Sequence, residues 1–255
     1  MRRAAVPLTG DVLATLPDPC RRCLFWEHGA PCPQPRSGTV LAGLASVLPV
    51  AEAGRDPGAR KRSWIDAEVA AGNPPGVVLW WDPQRGSRRA RERGPTEPVA
   101  AFALFATADR LAPRAAPAPR ASADALVLAT AWVAPTHREQ GLGRVLLHQA
   151  LREAIRRDLA AVEVYADRRF TERTCVLPAT WLLHEGFVVH REHPRVPLLR
   201  LETRRTVRWT EQLEHAWDEV LSRLPELAPS PRTGGTVAHT DPSTSRYPPG
   251  PAWPV

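Results

Sequence analysis

AWVAPTHREQGLGRVLLHQALREAIRR, residues 131–157, decides how this chain is read. An apolar strand ends at Val133-Ala134-Pro135. A short polar turn follows, and Gly141-Leu142-Gly143 opens a helix. Its apolar stripe is Leu142, Val145, Leu146, Ala150, Ala154 and Ile155, the recurrence of a helix packed along one face. Small residues at the turn let backbone N–H groups approach an anion closely. The first helical turn has N–H groups without intrahelical partners and about half a positive charge. Strand, glycine turn and helix start together form a phosphate cradle, with Arg138 and Arg144 adding side-chain charge on either side.

Outward from this stretch, the pattern predicts a helix over 58–71, ended by Gly72-Asn73-Pro74. Strands follow at VVLWW (77–81) and PVAAFALFAT (98–107), separated by an arginine-rich polar loop. ALVLATAWVA (125–134) is a strand with so little polarity that both faces must be covered. AAVEVYAD (160–167) is the strand after the long helix, PATWLLHEGF (178–187) a short helix closed by Gly186, and FVVH (187–190) and PLLRLETRRTV (197–207) the last strands. The order implies an α+β fold, a central mixed sheet with flanking helices. Its one strand–helix–strand crossover makes strands 125–134 and 160–167 a parallel pair.

The ends differ in character. Residues 1–57 read as an N-terminal extension packed on or capping the core, with a short helix near Asp11–Leu16, the aromatic cluster RRCLFWE (21–27), and an apolar TVLAGLASVLPV (39–50) that is either strand or helix. Residues 58–208 form the main domain. Residues 209–227 read as an amphipathic C-terminal helix on Leu213, Ala216, Trp217, Val220, Leu221 and Leu224. Residues 228–255 read as a disordered tail; from Pro229 on it holds 7 Pro and 3 Gly, too little apolar surface to offset ordering.

Composition narrows the function. The 255 residues carry a formal charge of +7, but Lys61 is the only lysine, so the positive charge is almost all arginine. Those arginines are scattered and lack aromatic interleaving, so no nucleic-acid partner is expected. No run of apolar residues is long enough for a membrane span, and a cytoplasmic location is the default. Of Cys20, Cys23, Cys32 and Cys175, only the first two form a C-x-x-C, and no second ligand pair matches a common zinc module. Neither a metal nor a thioredoxin-like pair is expected.

The cradle is not a P-loop, because no lysine follows it, and not a dinucleotide fingerprint, because Leu146 stands where the third glycine belongs. Arg138-Glu139-Gln140-Gly141-Leu142-Gly143, an R-x-x-G-x-G, resembles the acetyl-CoA pyrophosphate motif of the GCN5-related N-acetyltransferases. The preceding strand, the V-x-P lead-in, the continuation GLGRVLL and the later HEGF fit the same resemblance, which covers about residues 60–207. RRCLFWE and the C-x-x-P-x-x-x-L-x-x-x-GF run at 175–187 resemble a bacterial subgroup. One position departs: Glu139 stands where the family often has glycine, and its carboxylate must face solvent to leave a diphosphate unopposed.

The resemblance implies an N-acetyltransferase that uses acetyl-CoA as cosubstrate, without metal. The acceptor would be a small-molecule or peptide amine. It implies that the parallel strands splay, that Trp132 and Val133 offer backbone groups to the pantetheine arm, and that the Val133 N–H polarises the thioester carbonyl. Arg138, Glu139, Gln140, Gly141, Leu142, Gly143 and Arg144 would form the pyrophosphate loop. Glu163 is the expected base, and Tyr165, or else Cys175, the acid for the leaving thiolate. The alternative is an acyl-CoA-binding regulatory domain without activity.

Overall fold

The computed structural model describes residues 5–31, 56–80, 99–112, 120–169 and 175–203. Its centre is one eight-stranded mixed sheet. The strands are β1 (Ala5–Pro7), β2 (Gly76–Trp80), β3 (Val99–Thr107), β4 (Ala125–Val133), β5 (Ala161–Asp167), β6 (Leu177–Pro178), β7 (Val188–Arg191) and β8 (Leu198–Glu202). Their spatial order is β1-β2-β3-β4-β5-β8-β7, with β6 also pairing β5. The β4–β5 and β5–β6 pairs are parallel; every other pair is antiparallel. The expected mixed sheet with flanking helices is what the chain forms.

β5 is buried at every position and β3 at all but its last, the mark of strands covered on both faces. On one face, Leu126, Leu128, Val162 and Val164 pack against α5 (Leu142–Arg156) and α6 (Ala179–His184). On the other, Val78, Phe102, Val127 and Tyr165 pack against α4 (Pro57–Ala70) and the N-terminal helices. α4 starts where Pro57 follows the Asp56 cap, whose Oδ2 accepts the Ala59 N–H at 3.1 Å.

RRCLFWE is an anchor. It spans the end of α2 (Asp18–Arg22) and most of α3 (Phe25–His28), which follow α1 (Gly10–Leu13). Trp26 stacks on Tyr165 of β5 at 5.9 Å between centroids. Glu27 pairs with the buried Lys61 of α4, and the same ammonium donates to the Cys23 carbonyl at 2.9 Å.

Two strands escape the sequence pattern. β1 and β6 are three and two residues long, too short for any period to register. The last strand ends at Glu202 rather than running to residue 207. The arginine-rich loop, the segment 39–50, the helix over 209–227 and the tail over 228–255 lie outside the described residues.

α5 also holds a buried titratable group. His148 is 8% exposed, and its Nε2 has no hydrogen-bond partner. Burial first, and the nearby Arg144 second, push its pKa down to about 4 from 6.5. It is therefore neutral in the folded chain and protonated on unfolding below about pH 6.5. Its contribution is full above that pH and is lost as pH falls toward about 4, by roughly 3 kcal/mol. We expect urea unfolding to show native stability falling between about pH 7 and about pH 4.5, and the fall to shrink in His148→Gln.

Candidate active site

The parallel pair β4–β5 holds together only briefly. Ala125, Leu126 and Val127 pair with Ala161, Val162 and Glu163, and then the pairing stops. The cause is visible on β4's other edge. Leu104 pairs with Thr130 and Phe105 with Leu128, so Ala129 is an extra residue, a β-bulge. A bulge bends its strand and raises the local twist. From Leu128 onward β4 and β5 diverge, and β5 pairs with β6 instead, through Ala166 and Asp167.

The open end of this gap presents a backbone donor. The Ala134 N–H bonds to the Ala100 carbonyl of β3 at 2.9 Å. Strand amides alternate in direction, so the Val133 N–H turns away from β3, into the gap. Trp132 behaves differently. By the same alternation its amide serves the β3 ladder opposite Phe102, and its ring stacks on Phe102 at 5.7 Å. Of the two expected strand residues, Val133 is the one whose amide faces the gap.

The chain then passes through a tight 3-10 turn at Pro135–His137 to the glycine turn. Glu139 has φ +62 and Gly141 φ +79. Gly141 is the N-cap of α5, and no side chain caps the helix. The first intrahelical bond is from Val145 to the Gly141 carbonyl at 3.2 Å. The amides of Leu142, Gly143 and Arg144 thus stand at an uncapped helix start with its partial positive charge, a donor set suited to a diphosphate. Gln140 is exposed, and its Nε2 reaches the Thr136 carbonyl at 3.5 Å. Arg138 is half-buried beside the turn.

Two members of the loop have additional employment that the sequence did not reveal. A Cβ on Gly143 would sit 3.2 Å from Trp181 of α6, so this glycine lets α6 pack tightly on the helix start. A valine there would strain the α5–α6 contact as well as crowd an anion. Arg144, expected to lend charge to the cradle, makes a bidentate pair with Glu185 at the end of α6, with bonds of 2.8 and 2.9 Å. HEGF is therefore a clamp on the first turn of α5.

Of the acid–base residues read from the sequence, Glu163 is the last β5 residue paired with β4, and Tyr165 lies two residues beyond it. Glu163 is fully buried. Its Oε2 accepts the Ser122 N–H at 2.8 Å, and its Oε1 accepts the Ser122 hydroxyl at 2.7 Å and Arg200 Nη1 at 2.8 Å. It pairs with Val127, six residues before Val133, about 20 Å along the strand. Tyr165 has a backbone hydrogen bond with Ala121, and burial raises its pKa. Both side chains are thus tied to the loop ahead of β4, through Ala121 and Ser122. Asp167 is the β5 carboxylate at the open end. It is 2% exposed, with Oδ1 accepting the Arg169 N–H at 2.8 Å and Oδ2 3.8 Å from Arg195. It lies on the same strand face as Tyr165.

Residues 64–175 match the model of the acetyltransferase (GNAT) family. The GNAT match runs from inside α4 to the approach to β6 and includes the gap and the glycine turn. No curated protein matches the chain. Among solved structures, nourseothricin acetyltransferase is 14% identical over 50% of this chain, with a TM-score of 0.34; this chain spans only 64% of its length. YncA, a putative acetyltransferase from Salmonella typhimurium with its cofactor acetyl-CoA, is 15% identical over 78% of this chain and 92% of its own, at 0.44. The PaiA N-acetyltransferase from Thermoplasma acidophilum in complex with coenzyme A is 11% identical over 78% and 97%, at 0.40.

Glu139 is the strained point of the loop. Its side chain is exposed, so the carboxylate faces solvent, but its backbone occupies the left-handed region that favours glycine. Replacing it with glycine removes a left-handed penalty and adds chain entropy in the unfolded state. We expect Glu139→Gly to gain about 0.5–1 kcal/mol by urea unfolding.

Proposed function

We propose that this chain is an N-acyltransferase that moves an acyl group, acetyl in the first instance, from acyl-CoA to a primary amine by direct attack. The observation that carries this reading is the Val133 amide turned into the β4–β5 gap, immediately ahead of the uncapped start of α5. The GNAT match over residues 64–175 supports it.

Acyl-CoA, when bound, supplies an activated thioester carbonyl. The chain's own part is largely positioning, which by itself lowers barriers substantially. In this reading the amides of Gln140 to Arg144 hold the diphosphate, with Arg138 and Glu139 shaping the loop. The gap between Leu128–Val133 and Val164–Asp167 takes the pantetheine arm. The Val133 N–H stabilises negative charge developing on the carbonyl oxygen.

The amine must lose a proton to react. We assign this to Asp167, the carboxylate at the open end, in place of Glu163. Glu163 then braces the closed end through Arg200 and Ser122. Tyr165 keeps its phenol protonated, and its ring fixes the N-terminal extension through Trp26.

A thiol-release assay with acetyl-CoA over a panel of primary amines tests the reading. At least one amine should accelerate release; binding of acetyl-CoA with no release by any amine would mark a binder without activity. With the best amine, Asp167→Asn should lower kcat by about 100-fold while calorimetry shows acetyl-CoA affinity kept. Glu163→Gln should lower the unfolding midpoint without moving the pH profile of kcat. Normal turnover in Asp167→Asn would remove it from the proton path.

A further inference from the structure

Two thiols far apart in the chain meet where the N-terminal extension joins the sheet. The Sγ atoms of Cys23 and Cys175 are 3.7 Å apart, across 152 residues of sequence. Cys23 is buried at the end of α2 and Cys175 is half-buried just ahead of β6. Cys175 packs against the cluster that contains Trp26, Tyr165 and Val176, as does Cys20.

The surrounding frame holds them there. The Cys23 carbonyl takes a hydrogen bond from Lys61, and Lys61 is fixed by Glu27. Two residues beyond Cys175, Leu177 pairs with Ala166 of β5. Closing the sulfurs from 3.7 Å to a bond of about 2.0 Å needs a relative shift of under about 2 Å. Among the described residues, no group of three or more His, Cys, Asp or Glu is placed to hold a metal ion.

We propose that Cys23 and Cys175 form a reversible disulfide when the chain meets a hydroperoxide. The half-buried Cys175 sulfur attacks the peroxide; the O–O bond breaks, an S–O bond forms, and water or an alcohol departs. The Cys23 sulfur then attacks the sulfenic sulfur; the S–S bond forms, the S–O bond breaks, and water departs. Two electrons pass from sulfur to peroxide oxygen, and both thiol protons leave with the oxygen products. A dithiol reverses the bond by exchange. The crosslink joins the extension that covers one sheet face to the segment that leads into α6. α6 carries Trp181 against Gly143, and Glu185 at its end pairs with Arg144, so the bond reaches the element that supports the glycine turn.

The test uses the full chain, reduced and then treated with hydrogen peroxide under native conditions. Peptide mapping under alkylating conditions should find Cys23 linked to Cys175, with two of the four thiols lost and both recovered with dithiothreitol. The oxidised chain should melt at a higher temperature than the reduced one. Cys175→Ser should show no such rise, and a Cys20→Ser, Cys32→Ser double variant should keep it. A dominant Cys20–Cys23 link would overturn the proposal. So would sulfinic acid on Cys175 without a crosslink, or one equivalent of zinc in the purified chain that protects the thiols. Every readout is independent of acyl transfer, so failure here and failure of the proposed reaction are separable.

Discussion

The early end of the β4–β5 ladder is the constraint from which the rest follows. Three residues pair, and then the extra residue Ala129 turns β4 away from its parallel neighbour. Breaking a ladder in the middle of a sheet leaves backbone groups without strand partners, which is costly in a dry interior. The cost falls where water or, in the proposed function, a bound ligand takes those groups. The Val133 amide is unused by β3, and α5 begins nine residues later with an uncapped turn, so in the proposed function the donors of strand and helix lie along one path.

Support for that path comes from three directions. α6 presses Trp181 against the bare face of Gly143 and grips Arg144 through Glu185. β3 holds the far side of β4 through the Ala100 carbonyl. The N-terminal extension closes the opposite sheet face through Trp26 on Tyr165 and Glu27 on Lys61. Removing one partner of a buried ion pair costs about 3–5 kcal/mol, because the other charge is left uncompensated. The extension is thus bound to the sheet it covers.

Much of this was legible because its signals are local. The helix stripe from Leu142 to Ala154, the buried strand before it and the glycine turn all lie within one stretch of chain. What stayed hidden depends on register and on distant partners. Glu163 and Asp167 share one strand face, and no pattern on β5 tells which end lies beside the gap; that is set by where β4 bends. Arg144 reads as cradle charge until Glu185, far along the chain, is seen to hold it. Gly143 reads as room for an anion, and the indole behind it appears only in three dimensions. The strain at Glu139 could have been suspected from the missing glycine, but its positive φ is a property of the folded loop.

One further consequence follows from Lys61. It is the chain's single lysine, and its ammonium is sealed inside, paired with Glu27 and the Cys23 carbonyl. Activated thioesters modify exposed ε-amines without any catalyst, so a protein that binds them is ordinarily its own first victim. The other fixed positive charge in this sequence is guanidinium, too weakly nucleophilic to be acylated, so an amine-directed label finds no exposed ε-amine in the folded state.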